Sequence, residues 1–415
     1  MRITIIAIGS RGDIQPYVAL GAELRRRGHA VRTPVPPVFR PLIEGAGLEF
    51  EPVNRADPQA MLRRPEIQAA MRQRGQLRGA LALLRNTAPM LQTILADYWR
   101  TTDGADLVVA PSLPFSAVDC AEARGVRCVH ATLHALQPTR TFPNAFLAPY
   151  GPQLHHPLNR TTHHTIRLLM ARLFGGELDR WRRGLGLPPL RGRYFAWLDR
   201  LRLTTLYGLS GTVLPRPDDW PAWHHITGYW FLDEPAWQPP ADLLRFLADG
   251  PPPVAIGFGS MDDRDPERVT RAALGALEQS GQRGVLLSGW GGLGSLPLPP
   301  NVFRIEAAPH SWLFPRMAAL VHHGGAGTTA AGLRAGVPAV ITPVAVDQPF
   351  WAERVAQLGA GVRGQPFLQI DATTLGAQIA RAAGSPTMRQ RAATLADAIR
   401  AERGVERAAD LIEAA

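Results

Sequence analysis

The sequence predicts an α/β protein made of two doubly wound units, each with a parallel sheet. Three observations carry that expectation. Short apolar runs alternate with helical segments in both halves, Gly-rich turns follow several of those runs, and a Trp- and Pro-rich stretch over 229–240 separates the halves. At 415 residues the chain is long enough for two or three domains, each with its own buried core.

In the first half, residues 3–8 read as a buried strand, 15–28 as a helix closed by Gly28 and His29, and 30–35 as the next strand. Strands over 106–110 and 126–130 flank a helix that holds Cys120. The stretch 139–193 reads as irregular around one apolar helical segment near 165–174. The second half restarts the pattern with strands over 254–258, 284–287, 302–305, 320–322 and 339–342, with helices between them. A helix over 388–415 closes it. The resulting domains are 1–228, a linker 229–240, 241–387 and the final helix 388–415.

Composition narrows the class. Hydrophobic residues make up 46% of the chain, as in a globular protein. No run reaches the ~20 apolar residues of a membrane-crossing helix. The 3–8 stretch is too short for a signal segment, so a cytoplasmic protein is expected. Two cysteines, Cys120 and Cys128, do not make a disulfide framework and read as buried thiols. The net charge of +10 is carried by arginine alone, since the chain has no lysine. Clusters such as Arg25-Arg26-Arg27 and Arg180-Trp181-Arg182-Arg183 read as exposed helix faces. The alternative is attraction to anionic lipid headgroups. No nucleic-acid-binding motif accompanies the charge.

The most informative stretch is His323 followed by Gly324-Gly325-Ala326-Gly327-Thr328-Thr329. An apolar run precedes it and a helical segment follows. A strand, a tight Gly-rich turn and a helix N-terminus form an anion cradle, because the first helical amides lack internal partners and the macrodipole is positive there. His323, Ala326, Gly327 and Thr328 are the candidate contacts. The absence of lysine excludes a Walker loop and Schiff-base chemistry. Gly9-Ser10-Arg11-Gly12 has the wrong spacing for a dinucleotide fingerprint. Past the next apolar run, Asp347 and Gln348 supply acceptors and donors suited to a polyol. A phosphate cradle beside a polyol clamp reads as a nucleotide-sugar site.

The segment from His322 to Gly361, with its GGAGTT and DQPFWAERVAQLGAGV, resembles the donor signature of family 1 glycosyltransferases. The opening Gly9-Ser10-Arg11-Gly12-Asp13-Ile14-Gln15-Pro16 resembles the other end of that family. Thr227-Gly228-Tyr229-Trp230-Phe231 and Gly257-Phe258-Gly259-Ser260-Met261 are similar to its sterol 3-beta-glucosyltransferases and bacterial natural-product enzymes. The resemblance implies a GT-B fold, with two Rossmann-like domains facing a central cleft and the final helix packing back on the first domain. It implies an inverting UDP-glycosyltransferase that moves a hexose, glucose from UDP-glucose, onto a hydrophobic alcohol of sterol, triterpenoid or polyketide type. It also places Ser10, Arg11, Ala308 and His310 among the donor contacts. Plant members stack the base on a tryptophan where this chain has Ala307, so uridine and thymidine both remain open.

Asp13 is the candidate base for the acceptor hydroxyl, a role contributing ~10²–10⁴-fold. It also suits the cap of a helix beginning near Gln15. Fixed donors around the departing diphosphate, with Ser260 reaching it, replace a metal, so no metal or cofactor is expected. Asp263-Arg264-Asp265 reads as a helix start at Pro266, and the pairs His155-His156 and His163-His164 lack the companions of a metal site. Leu113, Pro114, Phe115, Leu133, His134, Phe142, Phe146 and Tyr150 form an apolar set suited to an acceptor, or equally to ordinary core. Phe115, His134, Phe142 and Phe146 are the acceptor candidates. A nicotinamide dehydrogenase and a silent nucleotide-sugar-binding helper subunit are the competing readings.

Overall fold

The computed structural model describes residues 1–53, 91–111, 117–147, 156–234, 237–259, 266–289, 293 and 296–415. The chain divides into two compact units. One holds Met1–Leu147, Gln153–Leu232 and Glu402–Ala415, and the other holds Asp233–Ala401.

In the N-terminal unit, β1 (Arg2–Ile5), α1 (Arg11–Arg26), β2 (Ala30–Val35), α2 (Arg40–Gly45) and β3 (Glu49–Pro52) open the fold. They are followed by α3 (Leu91–Thr101), β4 (Leu107–Pro111), α4 (Val118–Arg124), β5 (Arg127–Thr132), α5 (Asn159–Gly184), α6 (Tyr194–Leu201), β6 (Thr205–Tyr207) and β7 (His224–Ile226). Among the described residues these strands form one parallel sheet in the order β3-β2-β1-β4-β5-β6-β7. The order reverses between β1 and β4, and the crevice at such a reversal is where open α/β sheets bind ligands. The turn after β1 carries Gly9 and Ser10, and Asp13 lies in the first turn of α1.

Both faces are covered, so the central strands read as continuous apolar runs rather than alternating ones. Ile3, Ile5, Val109, Val129 and Ala131 pack against Tyr17, Leu20 and Leu24 of α1. Val108 and Ala110 face the other way, with Met170, Phe174 and Tyr194 of α5 and α6.

Helix α1 begins four residues before the expected start, with Ser10 as N-cap in extended conformation (φ −78°, ψ 178°). Pro16 misleads the sequence reading: proline favours a helix's first position, yet here it lies inside α1. The larger correction is α5, 26 residues of helix where mostly irregular chain is expected. Its buried face includes a histidine and a glycine besides Met170, Phe174 and Leu178. Only tertiary partners make His163 and Gly175 interior residues, since His163 Nε2 bonds the Phe142 carbonyl at 3.0 Å and a Cβ on Gly175 would lie 3.5 Å from Gly192 Cα.

The C-terminal unit contains α7 (Ala241–Ala248), β8 (Val254–Gly257), α8 (Pro266–Ser280), β9 (Gly284–Leu287), β10 (Val302–Ile305), α9 (His310–Leu313) and β11 (Ala319–His322). It continues through α10 (Ala326–Ala335), β12 (Ala339–Ile341), α11 (Gln348–Gln357), β13 (Gly361–Arg363), α12 (Ala372–Gly384) and α13 (Pro386–Ala401). Its parallel sheet runs β10-β9-β8-β11-β12-β13, reversing between β8 and β11. The turns after β8 and β11 hold Gly259 and His323.

The segment 388–415, expected as one helix, is two. α13 ends at Ala401 in the C-terminal unit, and a separate helix, Gly404–Glu413, belongs to the N-terminal unit. Its Ala408, Ala409 and Ile412 join the core beside α1, while Arg27 Nη1 bonds Asp410 at 2.6 Å and Glu413 at 2.7 Å. Tyr229 and Trp230, placed by sequence in the linker, are buried in the N-terminal unit, with Trp230 edge-on to Tyr17.

In the two arginine clusters Arg25, Arg26, Arg180 and Arg183 are exposed as expected, whereas Arg27 is half-buried and Arg182 is interior. Arg182 is 1% exposed, paired with Asp119 and Glu122 and lying over the Trp197 ring. Cys120 is buried and Cys128 half-buried, and burial pushes both thiols up to about 12. No helix of the described residues is long and apolar enough to cross a membrane.

Candidate active site

The N-terminal site is built on the turn from β1 into α1. Asp13 is the third residue of α1, not the residue before it, and is half-buried. Its Oδ2 accepts both the Ser10 backbone N–H and the Ser10 hydroxyl, each at 2.8 Å. This satisfies an orphan amide at the helix start and fixes the carboxylate's orientation. Gly9 has φ +125°, and a Cβ there would run into the Asp13 carboxylate. Glycine is therefore required twice, for the turn and for the space Asp13 occupies. Arg11 is exposed in the first turn of the same helix.

The C-terminal site gathers around His323. A Cβ on Gly325 would sit 2.7 Å from His323 Nε2, and one on Gly259 would sit 3.1 Å from Cε1. Two glycine backbones thus wall the imidazole. Gly325 caps α10, so Ala326, Gly327 and Thr328 supply its first three amides, which have no helical acceptor. No acidic side chain lies in that first turn to compete for an anion. Gly324, at φ +92°, donates its N–H to His322 Nδ1 at 3.1 Å.

Three buried polar atoms at this turn have no partner among the described residues: His322 Nε2, His323 Nδ1 and Thr329 Oγ1. Native interiors rarely leave such groups unpaired, and their clustering at a helix N-terminus fits a bound polar ligand. His322 accepts a bond at Nδ1 but has no partner among the described residues at Nε2. Burial lowers His322 to about 3 and His323 to about 4, with the nearby Asp347 carboxylate opposing the shift at His323. Both rings are neutral at pH 7, each with one N–H to donate.

Asp347 and Gln348 open α11, and the Gln348 backbone lies against Gly324. Both side chains are 7% exposed. Asp347 Oδ2 accepts the Trp351 indole N–H at 2.8 Å, and Gln348 Oε1 accepts the Val344 and Ala345 amides at 2.7 and 3.2 Å. Sequence reasoning gave these residues to a polyol alone and missed their part in shaping the loop. Trp351, one helical turn past Asp347, was the available signal. Val346, immediately before Asp347, holds φ +61°, a strained conformation for a β-branched residue.

His310 begins α9 beside the same turn, its ring stacked on Phe314 at 4.2 Å, with Ala308 half-buried just before it. The structure thus brings His310, His323, Ala326, Gly327, Thr328, Asp347 and Gln348 together in one unit. Ser260 and the 263–265 segment lie outside the described residues.

The acceptor set is less coherent. His134 and Phe146 pair at 5.8 Å between ring centroids, both half-buried. Phe142 is core, 1% exposed and wedged against His163 and Trp220. Phe115, with Leu113, Pro114 and Tyr150, lies outside the described residues. His163, once weighed as a metal ligand, is an interior residue bonded to backbone and Asn144.

Known proteins resemble this chain in sequence and in fold. Residues 3–102 match the glycosyltransferase family 28 N-terminal domain, and residues 292–413 match the erythromycin biosynthesis protein CIII-like C-terminal domain. O-mycaminosyltylonolide 6-deoxyallosyltransferase of Streptomyces fradiae is 38% identical over 420 residues, covering 100% of this chain and 97% of its own. The sterol 3-beta-glucosyltransferase of Cryptococcus neoformans var. neoformans serotype D is 34% identical over 99% of this chain, which spans only 27% of that relative's length. Among solved structures, the glycosyltransferase of kitacinnamycin superposes with a TM-score of 0.74 at 22% identity, covering 100% of this chain and 98% of its own. The chain belongs to the GT-B glycosyltransferases, in the group that joins macrolide sugar transferases with sterol 3-beta-glucosyltransferases.

Proposed function

We propose that this enzyme moves a hexose from a nucleoside-diphosphate sugar to a hydroxyl of a large hydrophobic acceptor, with a macrolide or other polyketide alcohol as the first choice. The observation that carries this reading is the end-to-end match, at 38% identity, to a transferase whose name gives a macrolide-type acceptor and a deoxyhexose. A dTDP-linked donor goes with this reading, since Ala307 leaves thymidine as open as uridine. The second reading, glucose from UDP-glucose to a sterol or triterpenoid, is supported by 34% identity across 99% of the chain.

In this mechanism Asp13 takes the acceptor's proton as its oxygen attacks the anomeric carbon. The bond from that carbon to the diphosphate breaks, its electron pair leaves with the phosphate oxygen, and configuration inverts in a single displacement. Ser10 holds the carboxylate, while Arg11 and Ser260 are assigned to the diphosphate. The α10 amides and His323 stabilise the developing negative charge, in place of a metal. His310 and Ala308 meet the base, and Asp347 and Gln348 meet the sugar hydroxyls. His134 and Phe146 contact the acceptor. A chelator should therefore leave turnover unchanged.

A thermal-shift panel with UDP, dTDP, GDP and NAD at equal concentration tests the donor. A ligand at a hundredfold excess over Kd stabilises the fold by about 2.7 kcal/mol. A shift with dTDP alone, followed by turnover on a macrolactone alcohol, supports the first reading. UDP selectivity with turnover on a sterol moves the assignment to the second. A shift with NAD alone overturns both.

A further inference from the structure

The chain's positive charge is not spread evenly. Residues 156–202 hold ten arginines against three acidic residues, a net +7 of the chain's +10 in 47 of 415 residues. All ten lie in the N-terminal unit, on or beside α5 and α6, and Arg182 alone among them is buried. The three carboxylates are already committed. Asp199 accepts Arg167 at 2.7 Å, Glu177 accepts Arg180 at 2.5 Å, and Asp179 accepts the Leu190 and Arg191 amides at 2.7 and 3.0 Å.

Helix α5 gives that charge a face. His164, Leu168, Arg172, Gly176, Arg180 and Arg183 recur every three or four residues, so they share one side, and all six are exposed. At 1.5 Å per residue the stripe runs about 30 Å. The opposite side carries His163, Met170, Phe174 and Leu178 into the core. The stripe holds no carboxylate, and Arg172 and Arg183 make no ion pair among the described residues. Burial, and then the Arg167 and Arg160 charges, hold the His164 ring below its ordinary 6.5, so the positive field reaches this face.

Apolar side chains stand out of the same surface. Leu168, within the stripe, is 54% exposed, and Leu158, the residue before α5, is 62% exposed. A single exposed leucine is ordinary, but leucine inside an acid-free row of arginines asks for two chemistries at once. A soluble polyanion meets the guanidinium groups and leaves the leucines in water. A bilayer offers phosphate with hydrocarbon directly beneath it, and arginine stems are long enough to let neighbouring leucines sink past their charged ends. We infer that α5 docks the N-terminal unit on a membrane surface rich in anionic headgroups, its arginines on phosphates and Leu158 and Leu168 at the hydrocarbon boundary. The docking needs neither the sugar donor nor the transfer reaction.

The test sediments the full chain, without nucleotide, with vesicles of phosphatidylcholine alone or of equal parts phosphatidylcholine and phosphatidylserine. The chain should bind the mixed vesicles only, and should leave them as salt rises to ~1 M, where screening shrinks to ~3 Å. Arg172→Gln with Arg183→Gln should weaken partitioning about 25-fold, at about fivefold for each arginine. Arg245→Gln with Arg381→Gln removes the same charge from exposed positions of the C-terminal unit and should change partitioning by no more than about twofold. A polarity-sensitive dye on Leu168→Cys should shift to the blue on the mixed vesicles, and the same dye on Arg381→Cys should not. Burial pushes both native thiols up to about 12, so the dye goes to the new one. Equal binding to the two vesicles, equal loss in the two arginine pairs, or an unmoved dye at position 168 overturns the inference. Binding to neither vesicle also overturns it and leaves the face to an acidic protein. Melting curves check each variant, and if the arginine pair unfolds, the dye at position 168 decides.

Discussion

Ser10 donates twice to one oxygen of Asp13, from its amide and from its hydroxyl, each at 2.8 Å. A carboxylate held this way is both a helix cap and an oriented base, so the two roles weighed from sequence are met by one arrangement. Asp13→Asn should lower kcat by ~10²–10⁴ while leaving the nucleotide-induced thermal shift intact. Ser10→Ala keeps the amide donor, so its kcat should fall only about five- to tenfold. An unchanged rate in Asp13→Asn would remove it from catalysis.

Gly9→Ala adds a Cβ where Asp13 sits and imposes φ +125° on a residue that resists it. The expected result is a loss of turnover comparable to that of Asp13→Asn, with a fold that melts a few degrees lower. A Gly9→Ala enzyme of normal kcat would show that the Asp13 position is not critical.

Acid should weaken the fold well above the carboxylate range. Burial lowers His130, His163 and His323 to about 4 and His224 and His322 to about 3, against 6.5 for exposed histidine. A depressed folded value means the unfolded chain binds more protons between the two values. Stability is therefore present above pH 6.5 and lost as pH falls from there toward 4, by about 1.4 kcal/mol per pH unit for each such histidine. Urea unfolding at pH 7, 6 and 5 measures this, and equal midpoints at all three values would contradict it.

Val346 is 43% exposed and holds φ +61°. Asparagine adopts that conformation more readily and sacrifices little burial, so Val346→Asn should stabilise the C-terminal unit by about 1 kcal/mol. If the strain serves to aim Asp347 and Gln348, donor KM should rise in the same variant. A drop in melting temperature would show that Val346 is not under strain.

The parts of the fold legible in the sequence are those whose cause is local. The strand, glycine turn and helix from Ala319 to Ala335 follow from the order of apolar, glycine and helix-forming residues, and the anion cradle is visible there without any tertiary partner. Helix α5 is hidden because His163 and Gly175 become interior only through Phe142 and Gly192. Arg182 reads as a surface cation because its partners Asp119 and Glu122 lie about sixty residues earlier. Pro16 conceals the start of α1. At the candidate site the residue types were readable, but the internal bonds of Asp347 and Gln348 depend on how the loop after β12 folds.

The helix Gly404–Glu413 completes the core around α1, although nearly four hundred residues of chain separate them. During synthesis, then, α1 emerges early with an apolar flank that stays uncovered until residues 402–415 leave the ribosome. A chain cut after Ala401 would hold every residue of the C-terminal unit, while its N-terminal unit would lack Ala408, Ala409 and Ile412 of its core. The core of the unit translated first is thus completed only by residues that follow the whole C-terminal unit.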